Sequence, residues 1–378
     1  MRVALNLLYL IPGQVGGTET YARGLVRGLA RVDQGNEYVL LLNRESKGLE
    51  FSEARNFNRV VLGVNATSRP RRYAWEQLYL PWVLLRRKVD IVHSLGYVGP
   101  LLTSCPTVLT IPDLNYRVLK DTIPGGKRRI VDFFSSRAAR NAAHVITISQ
   151  FSKAQIEEQL RIPPSKITVT HLGPGWDRPA AAEWEEVKTR YRLPERYISA
   201  FGGGSLHKNI PRLIEAFEGI AQWHPHSLVI LGHLPAEAKA AADRSPVAAR
   251  IQCLGYVATG EIEPILRHSE VFALPSRYEG FGMPLLEAQM AGVPVACSTA
   301  GSLPEVGGGS VLMFNPLSVT EMTEALDRLL GDPALCERLR QAAKANLQRF
   351  SWDNTARETL RVYEQVYSVA GAGRNGRR

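Results

Sequence analysis

The sequence has few cysteines, and nothing in their spacing joins them. Cys105, Cys253, Cys297 and Cys336 are the four cysteines of the 378 residues, and no CxxC pair occurs. Disulfide frameworks and zinc sites use closer and more regular spacings. We interpret the cysteines as small core residues of a protein from a reducing compartment. We expect a cytoplasmic protein that holds no metal, because no Asp-rich or His-rich ligand set is present either.

Long apolar runs are also missing. No stretch approaches the roughly 18–20 residues that span a bilayer. The first residues, MRVALNLLYLIPG, hold one short apolar run that ends at Pro12. A signal peptide is the alternative interpretation, but a glycine-rich stretch and a helical pattern follow instead of a cleavage site. We therefore favour a buried first strand.

The charge is distributed unevenly along the chain. Residues 1–175 hold 24 Lys and Arg against 13 Asp and Glu, whereas residues 176–378 hold 22 against 23. A basic first half favours an anionic partner such as a phosphorylated lipid, an anionic membrane face or an acidic glycan. Peripheral association with the inner membrane face is therefore possible. The charge would also suit nucleic acid, but no binding module for it is recognisable. The alternative is that the basic pI only affects solubility.

Short apolar runs alternate with helical patterns, which predicts α/β domains with doubly wound parallel sheets. The length fits two domains, and we expect a ligand cleft where the carboxyl ends of their strands face each other. Predicted strands are 3–10, 38–43, 60–64, 90–94, 107–111, 144–149 and those starting near 197, 227, 250, 271, 293 and 310. The proline-rich stretch 162–179 is predicted to be a linker. The last helices are predicted at Thr320–Arg349 and Trp352–Ser368.

These patterns divide the chain into four parts. Residues 1–175 form an N-terminal Rossmann-like domain, and residues 176–350 form a C-terminal Rossmann-like domain. Residues 351–369 form a C-terminal helix that crosses back to the first domain. Residues 370–378, AGAGRNGRR, are expected to be a disordered basic tail.

The most informative segment is EGFGMPLLE, residues 279–287. A buried strand precedes it, and Pro284 occupies a position typical of a helix start. Glu279 therefore lies in a loop and Glu287 one turn into a helix, whose N-terminus can stabilise phosphate. The glycines let the backbone approach a ligand. A hydrolytic pair of carboxylates would flank one bond; this pair is better placed to accept hydrogen bonds from two sets of hydroxyls. Each glutamate alone could equally be a solvated surface residue.

This segment resembles the signature of the retaining glycosyltransferases of family 4, which have the GT-B fold. The resemblance includes GGTETYARGL near the start and AHVITISQFSK in the middle, and it is especially close to mannosyltransferase-like members. It implies that Glu279 faces the donor sugar and that Glu287 binds the ribose of the nucleotide. It also implies sugar contacts from Gly280, Phe281 and Gly282, and diphosphate contacts from Met283 to Leu285.

A second segment, FGGGSLHKN at 201–209, belongs to the same predicted site. Gly202, Gly203 and Gly204 could donate backbone N–H groups to phosphate, and Lys208 supplies a positive charge for the leaving diphosphate. The family usually has an arginine shortly before this lysine, and here it is absent. Tyr256, in the segment LGYV, resembles the family's nucleobase-contacting loop.

The resemblance makes residues 1–175 the acceptor-side domain and residues 176–350 the nucleotide-sugar-binding domain. It implies that Gly16 and Gly17 lie over the diphosphate and the acceptor. Their loop is not a GxGxxG fingerprint, which argues against a dinucleotide oxidoreductase. Many relatives have His-Asp where this chain has Pro112-Asp113, and Asp113 stays a candidate catalytic residue with Glu279 and Lys208. We interpret Glu19 as compensating a helix dipole, and His93 and His171 as structural.

Two basic segments also carry aromatic residues at helical spacing. Residues 69–88 resemble an interfacial membrane helix. We favour a helix that packs on the sheet through Trp75, Leu78 and Leu85, with its arginines at the solvent edge. Residues 125–142 allow the same two interpretations, an interfacial membrane helix or a helix that packs on the sheet.

Together these features predict a hexosyltransferase that moves a mannose- or glucose-type sugar from a nucleotide-diphosphate donor to a hydroxyl. The acceptor would be a glycan or a lipid-linked molecule, no cofactor is needed, and the family likeness implies retention. The alternatives are an epimerase or phosphorylase on the same fold, a nucleotide-sugar-binding protein without transferase activity, and a membrane-surface adaptor. The base, the acceptor, the linkage and the oligomeric state do not follow from the sequence.

Overall fold

The computed structural model describes residues 1–51, 54–119, 125–175 and 182–375. The chain forms two compact units. Unit 1 is Met1–Trp176 together with Phe350–Arg378, and unit 2 is Asp177–Arg349. Both are α/β units built on a parallel sheet, which confirms the predicted fold class.

In the described part of unit 1, seven parallel strands form one sheet in the order β3-β2-β1-β4-β5-β6-β7. The strands are β1 (Arg2–Asn6), β2 (Glu37–Leu42), β3 (Phe57–Val61), β4 (Ile91–Ser94), β5 (Thr107–Thr110), β6 (His144–Thr147) and β7 (Ile167–Val169). The inner strands are buried on both faces, since helices cover them as in other parallel sheets. The helices before unit 2 are α1 (Gly17–Val32), α2 (Arg69–Leu78), α3 (Leu80–Arg86), α4 (Asn115–Val118), α5 (Gly125–Asn141) and α6 (Gln150–Leu160).

Six parallel strands form the sheet of unit 2 over its described residues, in the order β10-β9-β8-β11-β12-β13. They are β8 (Tyr197–Phe201), β9 (Ser227–Leu231), β10 (Ile251–Gly255), β11 (Val271–Leu274), β12 (Val295–Ser298) and β13 (Leu312–Phe314). The helices are α7 (Trp184–Tyr191), α8 (Ile210–Ala221), α9 (Ala236–Arg244), α10 (Thr259–Arg267), α11 (Met283–Met290), α12 (Leu303–Gly307), α13 (Val319–Gly331) and α14 (Pro333–Leu347). The strand order reverses between β8 and β11, which makes this pair the topological switch point.

The last helix, α15 (Trp352–Asn375), belongs to unit 1. It packs against α1 at two glycines. A Cβ atom on Gly24 would lie within 3 Å of the Trp352 ring, and one on Gly28 within 3 Å of the Trp352 carbonyl oxygen. The indole N–H of Trp352 donates to the carbonyl of Gly175. Small residues on α1 therefore let α15 approach closely enough for Trp352 to be buried.

Several predicted boundaries were wrong. The linker predicted at 162–179 contains strand β7, whose three residues are too few for a periodic signal. The helix predicted at Thr320–Arg349 is two helices, since Asp332 caps a new helix whose first residue is Pro333. The helix predicted within 69–88 is likewise interrupted at Tyr79.

The predicted disordered tail was also partly wrong, because α15 continues through residues 370–375. Propagating a helix adds one hydrogen bond for each residue fixed, so the alanines here extend it despite the glycines. Residues 376–378 lie outside the described part. In the described residues no helix is both long and apolar enough to cross a membrane.

Candidate functional site

Two loops of unit 2 meet at its topological switch point. The first follows β8 and contains the glycines and Lys208; the second follows β11 and contains Glu279. Ligands of open α/β sheets bind beyond the carboxyl ends of the strands at such a point. The strand order thus brings together two segments that the sequence analysis assigned to one site.

The β8 loop is fixed largely by its own backbone. The N–H groups of Gly202 and Gly203 donate to the carbonyls of Leu231 (2.7 Å) and His233 (2.9 Å). These two donors are therefore already used, and the expectation that all three glycines cradle phosphate through N–H groups was wrong. Gly203 has a φ of +146°, which only glycine adopts readily, and its open side faces the Lys208 side chain. Gly204 stays exposed.

Asn209 ties this loop to the neighbouring strands. Its backbone is left-handed, with φ +60°, and its buried side-chain amide donates to the carbonyls of Pro275 (3.0 Å) and Pro316 (2.7 Å). A short 3-10 turn, Leu206–Lys208, leads directly into it. Asn209 therefore fixes where Lys208 lies relative to the β11 loop.

Lys208 and Glu279 form an ion pair inside the site. The ammonium Nζ lies 2.7 Å from Oε1 of Glu279, and their side chains are only 19% and 12% exposed. The hydroxyl of Ser276 donates to the same oxygen at 2.7 Å. Burial alone would raise the pKa of Glu279, but the charge and hydrogen bond of Lys208, with the Ser276 bond, lower it below its ordinary value. Glu279 is thus a carboxylate at neutral pH.

The backbone of Glu279 is held as firmly as its side chain. Its carbonyl accepts hydrogen bonds from the N–H and the hydroxyl of Ser302, each at 3.1 Å. Gly301, with φ +65°, lies so close that a Cβ there would fall within 3 Å of the Glu279 carbonyl oxygen and nitrogen. The β11 loop is therefore clamped from the segment that follows β12.

Helix α11 begins beside this loop, as predicted. Gly282 (φ +95°) is its N-cap, and a Cβ there would strike Leu303. Pro284 has no N–H, and the N–H of Leu285 donates to the carbonyl of Gly282 at 3.0 Å. The N–H of Met283 has no acceptor among the described residues, so it is a donor of the first turn that a ligand can use. Diphosphate contacts were expected from Met283 to Leu285. Of these three residues, Met283 alone has a backbone N–H without an acceptor among the described residues.

The other residues of unit 2 that were expected to bind the nucleotide sugar lie around these loops. Glu287 is half-buried on α11, and Phe281 is buried with only 3% of its surface exposed. Gly280 is buried in the loop. Tyr256 follows the edge strand β10, two strands from β8, and is 74% exposed.

Sequence reasoning missed the residues that position the pair. No role is assigned from the sequence to Asn209, Ser276, Gly301 or Ser302. A left-handed Asn before a helix and a serine at a strand end are common, so these single residues carry little signal. Only the strand order shows that they converge.

In unit 1 the predicted residues lie in loops at the carboxyl edge of the sheet. Gly16 (φ +53°) is the N-cap of α1 and Gly17 its first residue; both are exposed. Glu19 accepts from the N–H of Gly13 at 2.8 Å and pairs with Arg23 at 2.9 Å. Glu19 therefore holds the loop together, beyond the dipole role favoured from sequence.

Asp113 follows β5 and is half-buried. Its Oδ1 accepts from the Tyr97 hydroxyl at 2.8 Å and from the N–H of Asn115 at 3.1 Å. These two contacts orient the carboxylate of Asp113.

His93 is fully buried, as expected for a histidine with a structural role. Its Nδ1 lies 2.6 Å from the hydroxyl of Tyr363 on α15, and its Nε2 lies 2.8 Å from Oγ1 of Thr110. Burial lowers the pKa of His93 to about 3, so the ring is neutral. His171 packs edge-on against Phe350, with ring centroids 5.7 Å apart.

The basic segment 69–88 differs from the expectation. Trp75 packs against the core, but Leu78 and Leu85 are 72% and 62% exposed, and Trp82 is exposed as well. The buried contacts come instead from Leu80 and Leu84. Arg72, expected at the solvent edge, is buried. The segment therefore has an apolar face on each side, which the favoured packing interpretation did not include.

Among the described residues, no three His, Cys, Asp or Glu side chains are grouped closely enough to hold a metal ion.

Comparisons with known proteins agree with this geometry. Residues 15–174 match the family described as Glycosyltransferase Family 4, and residues 185–346 match Glycosyl transferases group 1. The chain is 28% identical over 303 residues to the O-antigen chain mannosyltransferase B of Escherichia coli, across 78% of this chain and 77% of that protein.

Solved structures are similar over nearly the whole chain. Sucrose-phosphate synthase from Thermosynechococcus elongatus has a TM-score of 0.78 at 17% identity, covering 98% of this chain and 100% of that one. Anabaena HepE in complex with UDP-glucose has a TM-score of 0.72 at 17% identity, covering 97% and 100%.

Two doubly wound parallel-sheet units and these matches define the GT-B class of nucleotide-sugar-dependent transferases. Within that class, the chain belongs to glycosyltransferase family 4, and it is a hexosyltransferase.

Proposed function

We propose that this protein transfers a mannose- or glucose-type hexose from a nucleotide-diphosphate sugar to a hydroxyl of a glycan or lipid-linked acceptor, with retention of configuration. Glu279 accepts hydrogen bonds from hydroxyls of the donor sugar, and Glu287 accepts those of the ribose. Lys208 and the start of α11 bind the diphosphate. The curated relative is a mannosyltransferase and one structural neighbour holds UDP-glucose, which supports both sugar types.

The ion pair between Lys208 and Glu279 is the observation that carries this proposal. It places a cation and a carboxylate 2.7 Å apart at the switch point of the sheet. A lysine ammonium has three donors, so Lys208 can keep its bond to Glu279 and still donate to a phosphate oxygen. A sugar diphosphate needs this combination, because its sugar presents hydroxyl donors next to an anionic leaving group.

Transfer adds negative charge to the leaving diphosphate as the bond to the anomeric carbon breaks. Lys208 and the free N–H of Met283 are fixed before the reaction, so they stabilise that charge without reorganising. The bond then forms between the anomeric carbon and the acceptor oxygen, whose proton passes to an oxygen of the departing diphosphate. We propose that these groups suffice without a resident metal; activity that disappears in EDTA and returns with Mg²⁺ would contradict this.

The remaining roles are proposed from the resemblance. Gly16 and Gly17 contribute backbone to the diphosphate, Tyr256 contacts the nucleobase, and Phe281 and Gly282 contact the sugar. Asp113 is proposed as a catalytic residue. Its fixed orientation by Tyr97 and Asn115 supports a directed interaction with a substrate hydroxyl.

Peripheral contact with an anionic membrane is a further part of the proposal. Trp82 and Leu85 are exposed on α3 beside Arg86, Arg87 and Lys88, a combination typical of interfacial helices. Sedimentation with anionic vesicles should decrease in Trp82→Ser. Substitution of Trp223, an exposed tryptophan of unit 2, in Trp223→Ser should leave it unchanged.

The test of the proposed function is a calorimetric screen of GDP-mannose, UDP-glucose and ADP-glucose, followed by transfer assays with the donor that binds. We expect one donor to bind and to be consumed, with NMR showing the donor's anomeric configuration in the product. If a donor binds but is neither transferred nor slowly hydrolysed, the alternative of a nucleotide-sugar-binding protein without transferase activity is favoured. An inverted product would remove retention alone.

A further inference from the structure

Two cavities adjoin at the carboxyl edge of the sheet in unit 1. The first, which we call the polar cavity, has a volume of about 490 Å³ and lies between the loops after β1 and β4 and the start of α2. The second, the apolar groove, has a volume of about 440 Å³ and lies between α2 and α5. Both volumes fall in the range of roughly 300–1,000 Å³ of small-molecule sites. Arg69, Tyr73 and Val131 line both, so the two cavities are neighbours.

The polar cavity contains two arginines. Arg69 is exposed at its mouth, while Arg72 is only 9% exposed. The Nε of Arg72 has no hydrogen-bond partner among the described residues, and the nearest carboxylate oxygen, Oε1 of Glu76, lies 3.9 Å away. Burying a guanidinium whose charge is poorly compensated is costly, and an anionic ligand in the polar cavity would offset that charge.

Glu76 does not fully neutralise this arginine. Burial raises its pKa to about 7, although Arg72 and a hydrogen bond from Asn6 act in the opposite direction. Two arginines, Arg69 and Arg72, therefore face one carboxyl whose ionised form burial disfavours, and the polar cavity keeps a net positive charge. Arginine is well suited to phosphate because its planar fork donates two parallel hydrogen bonds.

The apolar groove is lined almost wholly by carbon atoms. Its walls are Pro70 and Ala74 of α2 and Ile130, Val131 and Phe134 of α5. The rings of Tyr73 and Phe134 pack at 5.1 Å on its floor. Ala74 and Ile130 are exposed, so the groove opens to solvent along its length. A concave apolar site of this kind suits a hydrocarbon chain.

We propose that the two cavities together bind one lipid-linked acceptor, with its phosphate on Arg69 and Arg72 and its hydrocarbon chain in the apolar groove. This inference rests on the proposed function and identifies its acceptor class. The polar cavity lies next to the apolar groove, just as the phosphate of such a lipid lies next to its hydrocarbon chain.

The polar cavity also leads to the predicted catalytic carboxylate. Tyr97 and Asn115 line it, and both donate to Asp113. A sugar attached to a phosphate at Arg72 would extend from the polar cavity, so its hydroxyl comes within reach of the loop that carries Asp113. The lipid therefore anchors the acceptor while the sugar end stays free to react.

The test is calorimetric titration of the full chain with farnesyl phosphate, farnesol and inorganic phosphate, each below the concentration at which micelles form. Because the two cavities act on one molecule, farnesyl phosphate should bind at least tenfold tighter than either fragment. Anionic vesicles without a free phospholipid monomer form the fourth arm. Binding to vesicles but to none of the monomeric ligands would overturn the proposal.

Matched variants locate the binding. Ala74→Trp fills the groove and Arg69→Ala removes the cation at its mouth; both substitutions are at exposed positions of α2. Each should weaken farnesyl phosphate binding at least tenfold. Leu78→Trp and Arg71→Ala, exposed on the same helix but outside both cavities, should leave it unchanged. Equal affinity in all four variants would overturn the proposal.

A parallel titration with the nucleotide sugars separates this inference from the proposed function. Ala74→Trp should bind the donor as the unchanged protein does. If the donor binds but farnesyl phosphate does not, the acceptor inference fails and the proposed function stands. If farnesyl phosphate binds as described and no donor does, the proposed function fails and the lipid site stands.

Discussion

The ammonium of Lys208 lies 2.7 Å from the carboxylate of Glu279, although the two residues are 71 positions apart in the sequence. Both side chains are largely buried. Taking two charges out of water costs free energy that their attraction only partly offsets, so such a pair is a weak source of stability. Its position beyond β8 and β11 instead suits a ligand that meets both charges. Changing either partner therefore changes the electrostatics of the whole site.

Replacing Lys208 with methionine should weaken nucleoside diphosphate binding at least tenfold, about 1.4 kcal/mol. The variant removes the cation that the diphosphate meets and leaves the Glu279 carboxylate to repel it. Calorimetry measures the change. Lys188→Met is the control, because Lys188 also pairs with a glutamate at 2.7 Å in unit 2 but lies on the surface. Equal affinities in the two variants would argue against the role of Lys208.

Gly301→Ala should disturb the site more than Gly292→Ala. Both glycines have similar positive φ values, +65° and +77°, so both substitutions introduce backbone strain of order 1 kcal/mol. Only at Gly301 would the new Cβ press on the backbone of Glu279; at Gly292 it would meet nothing within 4 Å. We expect lower donor affinity and a lower Tm for Gly301→Ala, and a small loss of Tm alone for Gly292→Ala. Donor affinity that falls equally in both would contradict the clamp.

His93 should make the stability of unit 1 depend on pH. Its folded-state pKa of about 3 is below the unfolded value of about 6.5. The neutral ring therefore contributes stability above pH 6.5, and this is lost as the pH falls toward 3, by at most about 1.4 kcal/mol per pH unit. As the pH falls through this window, the free energy of unfolding in urea should decrease more steeply for the wild type than for His93→Gln, whose side chain cannot titrate. Parallel pH profiles would show that His93 is protonated in the folded state.

Gly24→Ala should displace helix α15. The added Cβ would overlap the Trp352 ring, and cores respond to overpacking with a cost of roughly 1–3 kcal/mol. Thermal unfolding and limited proteolysis of α15 report the change. In Gly331→Ala the new methyl group meets open space at a helix end, so this control should be neutral or slightly stabilising. A stable Gly24→Ala variant with a protected α15 would contradict the close packing.

The local parts of the site could be predicted from the sequence because their chemistry is local. Gly282, Pro284 and Gly292 mark the start and end of α11, and the buried strand before them sets the position of Glu279. The alternation of strands and helices predicted both sheets. The break at Pro333 was missed because apolar residues keep their helical spacing through it.

The rest required the tertiary structure. The bond between Lys208 and Glu279 depends on the pairing of β8 with β11, which no local pattern contains. The use of the Gly203 N–H by His233 depends on β9. Arg72 was placed at the solvent edge because arginine is usually exposed, but the packing of α2 buries it. The burial of Arg72 could therefore not be predicted from the sequence, and the proposed lipid-acceptor site depends on it.

The most direct test of the account compares two ligands in one variant, Glu279→Gln. The substitution keeps the shape of the side chain and removes its charge, so Lys208 is left free for phosphate. We expect the variant to bind the nucleoside diphosphate as tightly as the wild type or tighter. It should bind and use the corresponding nucleotide sugar at least tenfold less well. If both ligands lose affinity equally, or neither does, Glu279 does not act on the sugar and the central assignment of the site is wrong.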